Sequence, residues 1–297
     1  MPKKYKDIIG DGGSNIAGQV KQQIERLRSR MEKVKHKVAV VSGKGGVGKS
    51  AVTANLATAL SSQEHAVGVL DADMNGPSIA KILGVRGQSL KIGENGVFPA
   101  NGPLGIKVMS MDLILPSDET PVVWDAHTQK DSFIWQSTME AGALREFFSD
   151  IEWGELNFLF IDLPPTIEKV SIVSQLLTDL SGVVLVTIPS GLSHLIVRKT
   201  ITTVKELEIP IVGLIENMAG YHCLNCSKVG DLFKTVEDGE KMAEKADIPF
   251  LGRIPFDPRI SVSSDMGVPF VLEYSDTLAG KAFIEISEKI KGFLGVR

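Results

Sequence analysis

Cysteine is scarce in this chain: Cys223 and Cys226 are the only two among 297 residues. A disulfide framework therefore cannot carry the fold. No apolar run approaches the roughly 18 residues that a membrane-spanning helix needs. The opening MPKKYKDIIGDGGSN has lysines but lacks the apolar stretch of a secretory signal. Neither sign of charge is in excess: 32 Lys and Arg stand against 36 Asp and Glu, a net charge of −4. No bulk positive field exists to hold nucleic acid. These absences lead us to expect a cytoplasmic protein with reduced thiols, no nucleic-acid partner and no stable membrane association. What remains is ordinary globular composition, 43% hydrophobic and 23% charged. At this length a chain buries roughly three quarters of its unfolded surface. Glycine is plentiful, at 29 residues, which suits tight turns and loops that approach a ligand with their backbone.

Residues 1–14 are polar. Ile16–Lys37 reads as a helix with Ile24, Leu27, Met31 and Val34 at spacings of three and four. So thin a stripe packs against its own domain or docks a partner. From Val38 short apolar runs alternate with helical stretches. The runs are Val38–Val41, Val67–Leu70, Phe158–Ile161, Val183–Thr187, Ile211–Ile215 and Phe250–Ile254. Continuous apolar strands are buried on both faces. Alternation with helices predicts an α/β fold: a mostly parallel, doubly wound sheet with helices on both sides. Gly84–Ser137 fits less well and is expected to form a hairpin and a surface excursion. We divide the chain into an N-terminal extension, 1–36, and one α/β domain, 37–297.

Gly43, Lys44, Gly45, Gly46, Val47, Gly48, Lys49 and Ser50 match G-x-x-x-x-G-K-[ST], after a predicted strand and before a predicted helix that runs on through Ala51. This is the context a phosphate loop requires. Backbone N–H groups of such a loop turn inward around phosphate oxygens, and the helix adds the positive end of its dipole. Lys49 is expected on the β and γ phosphates of ATP, and the Ser50 hydroxyl on Mg²⁺. Asp71 and Asp73 close the second apolar strand, at the edge where open sheets bind ligands. Asp73 is the better candidate to orient or deprotonate an attacking water. Asp162 closes FLFID and is expected to hold the Mg²⁺ through water.

Both cysteines fall in one C-x-x-C, His222-Cys223-Leu224-Asn225-Cys226. That spacing brings two thiolates to one metal. Iron and zinc sites usually take four ligands, which two chains of a symmetric dimer can supply. A redox pair and plain structural cysteines are the alternatives.

Lys44 is a cation the loop itself does not need. KGGVGKS resembles the deviant phosphate loop of the MinD/ParA/NifH class of ATPases. The resemblance implies a homodimer in which Lys44 reaches the partner's nucleotide. Further segments extend the likeness: VKHKVAVVSGKGGVGKS, LDADMNGPSIAKILG, WGELNFLFIDLPP, IPIVGLIENMAG, the C-x-x-C and IPFLGRIPFDPRIS. Together they resemble the Mrp/ApbC family of iron–sulfur cluster carriers from Val34 to about Val296. The family resemblance implies an ATPase that binds a labile 4Fe–4S cluster between two subunits through Cys223 and Cys226. It implies transfer of that cluster to apo-proteins under control of ATP, and an adenine contact from Asn217.

Three departures stand out. The family's DLPPGTGD reads Asp162-Leu-Pro-Pro-Thr166-Ile-Glu-Lys169 here, and a Cβ at Thr166 is expected to restrict φ and slow hydrolysis. The family's Trp-Arg-Gly-Pro element is missing, with Asp125–Ser137 following Trp124. The turn beyond the cysteines is Val236-Glu237-Asp238-Gly239. A positioning ATPase like MinD or ParA is one alternative, with the final amphipathic helix Thr277–Leu294 as a membrane anchor or as core. A metal-insertion ATPase is another.

Overall fold

The computed structural model describes residues 16–115, 129–222, 229–233 and 238–296. In chain order it begins with helix α1 (Ile16–Met31), strand β1 (Val34–Ser42), α2 (Lys49–Ser61), β2 (Val67–Asp71) and α3 (Ile79–Ile82). Four short strands follow: β3 (Lys91–Ile92), β4 (Val97–Phe98), β5 (Ala100–Asn101) and β6 (Lys107–Met109). The middle comprises α4 (Gln129–Ser149), β7 (Leu156–Asp162), α5 (Ile167–Leu176), β8 (Gly182–Thr187) and α6 (Gly191–Glu206). The last part holds β9 (Ile211–His222), β10 (Val229–Gly230), α7 (Gly239–Lys245), β11 (Phe250–Phe256), α8 (Pro258–Met266), α9 (Phe270–Glu273) and α10 (Leu278–Phe293).

Nine strands form one sheet in the order β10-β9-β8-β1-β7-β2-β6-β5, with β11 also paired to β9. Every pairing among β6, β2, β7, β1, β8, β9 and β11 is parallel; β5 and β10 add antiparallel edges. The mostly parallel α/β sheet expected from the apolar runs is present, and all six runs are strands. Successive residues of β1 feed opposite layers. Val38 and Val40 pack with α2, α9 and α10, whereas Ala39 and Val41 pack with α1, α4, α5 and α6. Two cores on two faces follow from period two in a strand covered on both sides.

The first helix ends at Met31, not Lys37, and β1 begins at Val34. Lys33, Lys35 and Lys37 alternate there with Val34, His36 and Val38, which is strand periodicity at the start of β1. The division placed at 36/37 thus falls inside β1. Leu27 and Met31 are buried in the same core as β7, so α1 packs on its own domain. The final helix likewise spends its apolar side internally: Ala279, Phe283, Ile286 and Ile290 are buried. Within Gly84–Ser137, β3 and β4 form the expected hairpin, β5 and β6 join the main sheet, and α4 begins at Gln129. Trp124 and residues 125–128 lie outside the described residues, as do Val236 and Glu237.

Candidate functional site

The loop between β1 and α2 carries the phosphate-binding motif. Gly46 and Gly48 both take φ of +78°. A Cβ on Gly48 would lie 2.4 Å from Asn217 Nδ2, so glycine is required there twice over. Gly48 caps α2 without a side-chain hydrogen bond, and the first turn holds no acidic residue. The first N–H groups of α2 and its dipole therefore lack a negative partner from these positions. That is the electrostatic preparation for an anion.

Asp162, at the end of β7, is fully buried. Its Oδ2 accepts from Lys49 Nζ at 2.5 Å and from Ser50 Oγ at 2.6 Å; its Oδ1 accepts from Thr53 Oγ1 at 2.7 Å. Lys49 is only 7% exposed, while Lys44 is exposed and its carbonyl accepts from Ser42 Oγ at 3.0 Å. The two loop lysines thus differ: one is internal and paired, the other faces solvent.

Asp71 and Asp73 divide their work. Asp71 is buried, and its Oδ2 accepts from the backbone N–H groups of Ser78 (2.9 Å) and Ile79 (3.0 Å) and from Ser110 Oγ (3.1 Å). Its carboxyl pKa is pushed up to about 7, by burial first and then by the neighbouring Asp162, against the hydrogen bonds from Ile79 and Ser78. Asp71 anchors the loop and does not face the pocket. Asp73 is half-buried and lines a cavity of about 260 Å³ together with Lys49, Ser50 and Pro165. Of the two acids, Asp73 is the one placed to meet a bound phosphate.

A second cavity, also about 260 Å³, shares Gly48 and Ala51 with the first and is lined by Val52, Met218, Phe256, Ile260 and Phe283. One side of Gly48 is polar and phosphate-sized; the other is apolar and suits a planar base. Asn217 lies between them and donates from Nδ2 to the Val47 carbonyl at 2.8 Å. It braces the loop from behind as well as lining the apolar cavity.

Cys223 and Cys226 lie outside the described residues. Their flanks are placed: β9 ends at His222 and β10 returns antiparallel, with Val229 opposite His222 and Gly230 opposite Tyr221. The segment 223–228 therefore joins two paired strands.

Thr166 corrects an expectation. Its φ is −129° and ψ 133°, extended backbone open to any residue, and it occupies the N-cap position of α5. The Cβ imposes no φ restriction there. Four participants were not anticipated. Thr53 follows Lys49 by four residues on one helix face, a spacing that could have flagged it. Ser110 follows the short strand β6, which left no pattern. Glu140 and Lys169 form a buried ion pair between α4 and α5, and nothing in their local sequence marks them as partners.

The chain is similar to known proteins over most of its length. A family model described as ParA, NUBPL iron-transfer P-loop NTPase, matches residues 33–130 and 125–291. An iron–sulfur cluster carrier protein of Saccharolobus solfataricus is 41% identical over 276 residues, covering 91% of this chain and 89% of its own. The protein of the same name from Methanocaldococcus jannaschii is 45% identical over 270 residues, 91% and 88% of the two chains. Among solved structures, a nucleotide-binding protein of Archaeoglobus fulgidus in complex with ADP superposes with a TM-score of 0.69 at 35% identity, covering 82% of this chain and 91% of its own. The cell division ATPase MinD of Pyrococcus furiosus shares the fold, with a TM-score of 0.61 at 22% identity over 87% of this chain and 99% of its own. The chain belongs to the ParA/NUBPL family of iron-transfer P-loop NTPases.

Proposed function

We propose that the chain binds and slowly hydrolyses ATP and carries a labile 4Fe–4S cluster, held between two copies of itself, to apo-proteins in the cytoplasm. One observation carries the reading. Strand β9 contributes Asn217 to the phosphate loop and, five residues on at His222, enters the segment that holds the chain's only two cysteines. Strand β9 thus links the nucleotide pocket, at Asn217, to the start of the segment that carries the thiol pair.

In this reading the N–H groups of Gly45–Ala51 and Lys49 take the phosphates, and Lys49 leaves Asp162 to do so. Ser50 Oγ and the Asp162 carboxylate are adjacent hard oxygen donors, and such a pair fits Mg²⁺. Bound there, Mg²⁺ neutralises charge on the phosphoryl oxygens. Asp73 orients the attacking water, Asn217 and the apolar cavity take the adenine, and Lys44 acts on the partner's nucleotide. Cys223 and Cys226 supply two thiolates per chain, four per homodimer, for the cluster as cargo. The name of the two archaeal relatives, iron–sulfur cluster carrier protein, supports the cargo.

The test is reconstitution with iron and sulfide under argon. About four irons per two chains should be bound by a dimer, with 4Fe–4S absorption. Cys223→Ser and Cys226→Ser should each abolish it. A zinc-only product, or a cluster kept by a monomer, would turn the reading toward metal insertion or redox chemistry.

A further inference from the structure

Glu140 of α4 holds two other segments at once. Its Oε2 accepts from Lys169 Nζ, in the first turn of α5. Its Oε1 accepts from Asn75 Nδ2 at 3.1 Å. Glu140 is 5% exposed and Lys169 9%, so the pair is largely withdrawn from water. Asn75 belongs to the loop after β2, two residues beyond Asp73, and that loop is already turned on itself by the Gly76 N–H donating to Asp73 Oδ1 at 3.2 Å. Lys169 follows Pro165 by four residues, and Pro165 lines the same cavity as Asp73.

We propose that Glu140 is a positioning residue for nucleotide hydrolysis, clasping the Asp73 loop to the segment after Asp162 so that Asp73 and Pro165 face the phosphate cavity in fixed register. The proposal rests on the hydrolytic reading above. A carboxylate this buried is retained only if both oxygens are satisfied, and here one oxygen goes to the loop that carries Asp73 and the other to the helix that follows Pro165. The loop is also tied at its base, where the Ala72 N–H donates to the Asp162 carbonyl at 3.0 Å, and Glu140 adds a tie farther out, between Asn75 and Lys169. Catalytic groups on loops need such support, because an error of about 1 Å in placement can lower a rate about a hundredfold. The clasp also uses what is unusual in this chain: Lys169 stands in the DLPPTIEK stretch that departs from the family pattern. With an acid at 169, Glu140 would face a like charge.

The experiment uses the full chain. Asn75→Ala cuts the loop side of the clasp without stranding a buried charge. It should lower single-turnover hydrolysis by about tenfold while ATP affinity by titration calorimetry stays within about twofold. Amide exchange at residues 72–79 should quicken by about tenfold even without nucleotide. Glu140→Lys and Lys169→Glu should each be severely impaired, and some of that loss will be misfolding. The combined swap should recover fold and hydrolysis, because the Asn75 amide can turn its oxygen toward the new lysine. Wild-type hydrolysis and wild-type exchange in Asn75→Ala, or no recovery in a folded double swap, would overturn the proposal. If the unaltered chain does not hydrolyse ATP, the hydrolytic reading fails. The exchange measurement then still decides whether the clasp exists.

Discussion

Lys49 illustrates how much one side chain is asked to do. It neutralises a fully buried carboxylate at 2.5 Å and is the residue assigned to the β and γ phosphates. Lys49→Ala should therefore abolish Mg-ATP binding and also destabilise the chain by about 3 kcal/mol or more, since Asp162 is left buried without its cation. Calorimetric titration and urea unfolding read the two effects separately. Unchanged affinity would end the site assignment. Asp71 sets a different test. Its folded pKa, about 7, lies above the ordinary value of 3.8. The folded chain then holds more protons than the unfolded chain between these values. This group's contribution to stability is complete below about pH 4, declines as pH rises, and is gone above about pH 7. Asp71→Asn keeps an oxygen for the Ser78 and Ile79 N–H groups but cannot ionise. The difference in urea midpoint between variant and parent should shift in the variant's favour from pH 5 to pH 8; a difference flat across that range contradicts the assignment.

At the scale of elements, the junction of phosphate loop and α2 is the tightest point. Gly48→Ala places a Cβ in a left-handed backbone and against Asn217. The strain alone costs about 1–3 kcal/mol, and a displaced Asn217 frees the Val47 carbonyl. ATP affinity should fall by at least about tenfold, with helix content by circular dichroism unchanged. The loop itself was legible because its motif and context are specified by spacing. The six core strands were legible because burial on both faces leaves an unbroken apolar run. What escaped did so for identifiable reasons. The strand β9 continues seven residues past Ile215, but Glu216 and Asn217 interrupt its apolar pattern. Glu216 is buried as an acceptor for the Gly239 N–H and for Arg253, and Asn217 serves the loop. Helix α8 had its signals in Asp257 at the N-cap, Pro258 at the first position and Gly267 at the end, but too thin an apolar stripe to weigh against the surrounding loop. The Glu140–Lys169 pair spans 29 residues, and no local pattern records a tertiary ion pair.

For the whole molecule, the proposed homodimer makes each site composite: Asp73 and Lys49 from one chain, Lys44 from the other. Complementation follows from that symmetry. Lys44→Ala and Asp73→Ala should each be inactive in hydrolysis. Mixed in equal amounts and allowed to exchange, half the dimers pair one of each, and one of their two sites is intact. The mixture should recover roughly a quarter of the parent's rate. No recovery, with exchange verified by mass, would show that Lys44 acts on its own chain's nucleotide.

The unequal exposure of the two loop lysines also orders events in time. A trianionic or tetra-anionic nucleotide approaching from solvent meets Lys44 first, because Lys49 is already neutralised by Asp162. Long-range capture and final grip then belong to different residues. Lys44→Ala should slow association by a few-fold at low ionic strength and flatten its dependence on salt, while the dissociation rate from a single chain hardly changes. Stopped-flow binding of a fluorescent ATP analogue across a salt series separates the two, and identical salt slopes in parent and variant would show that the exposed charge plays no part in the encounter.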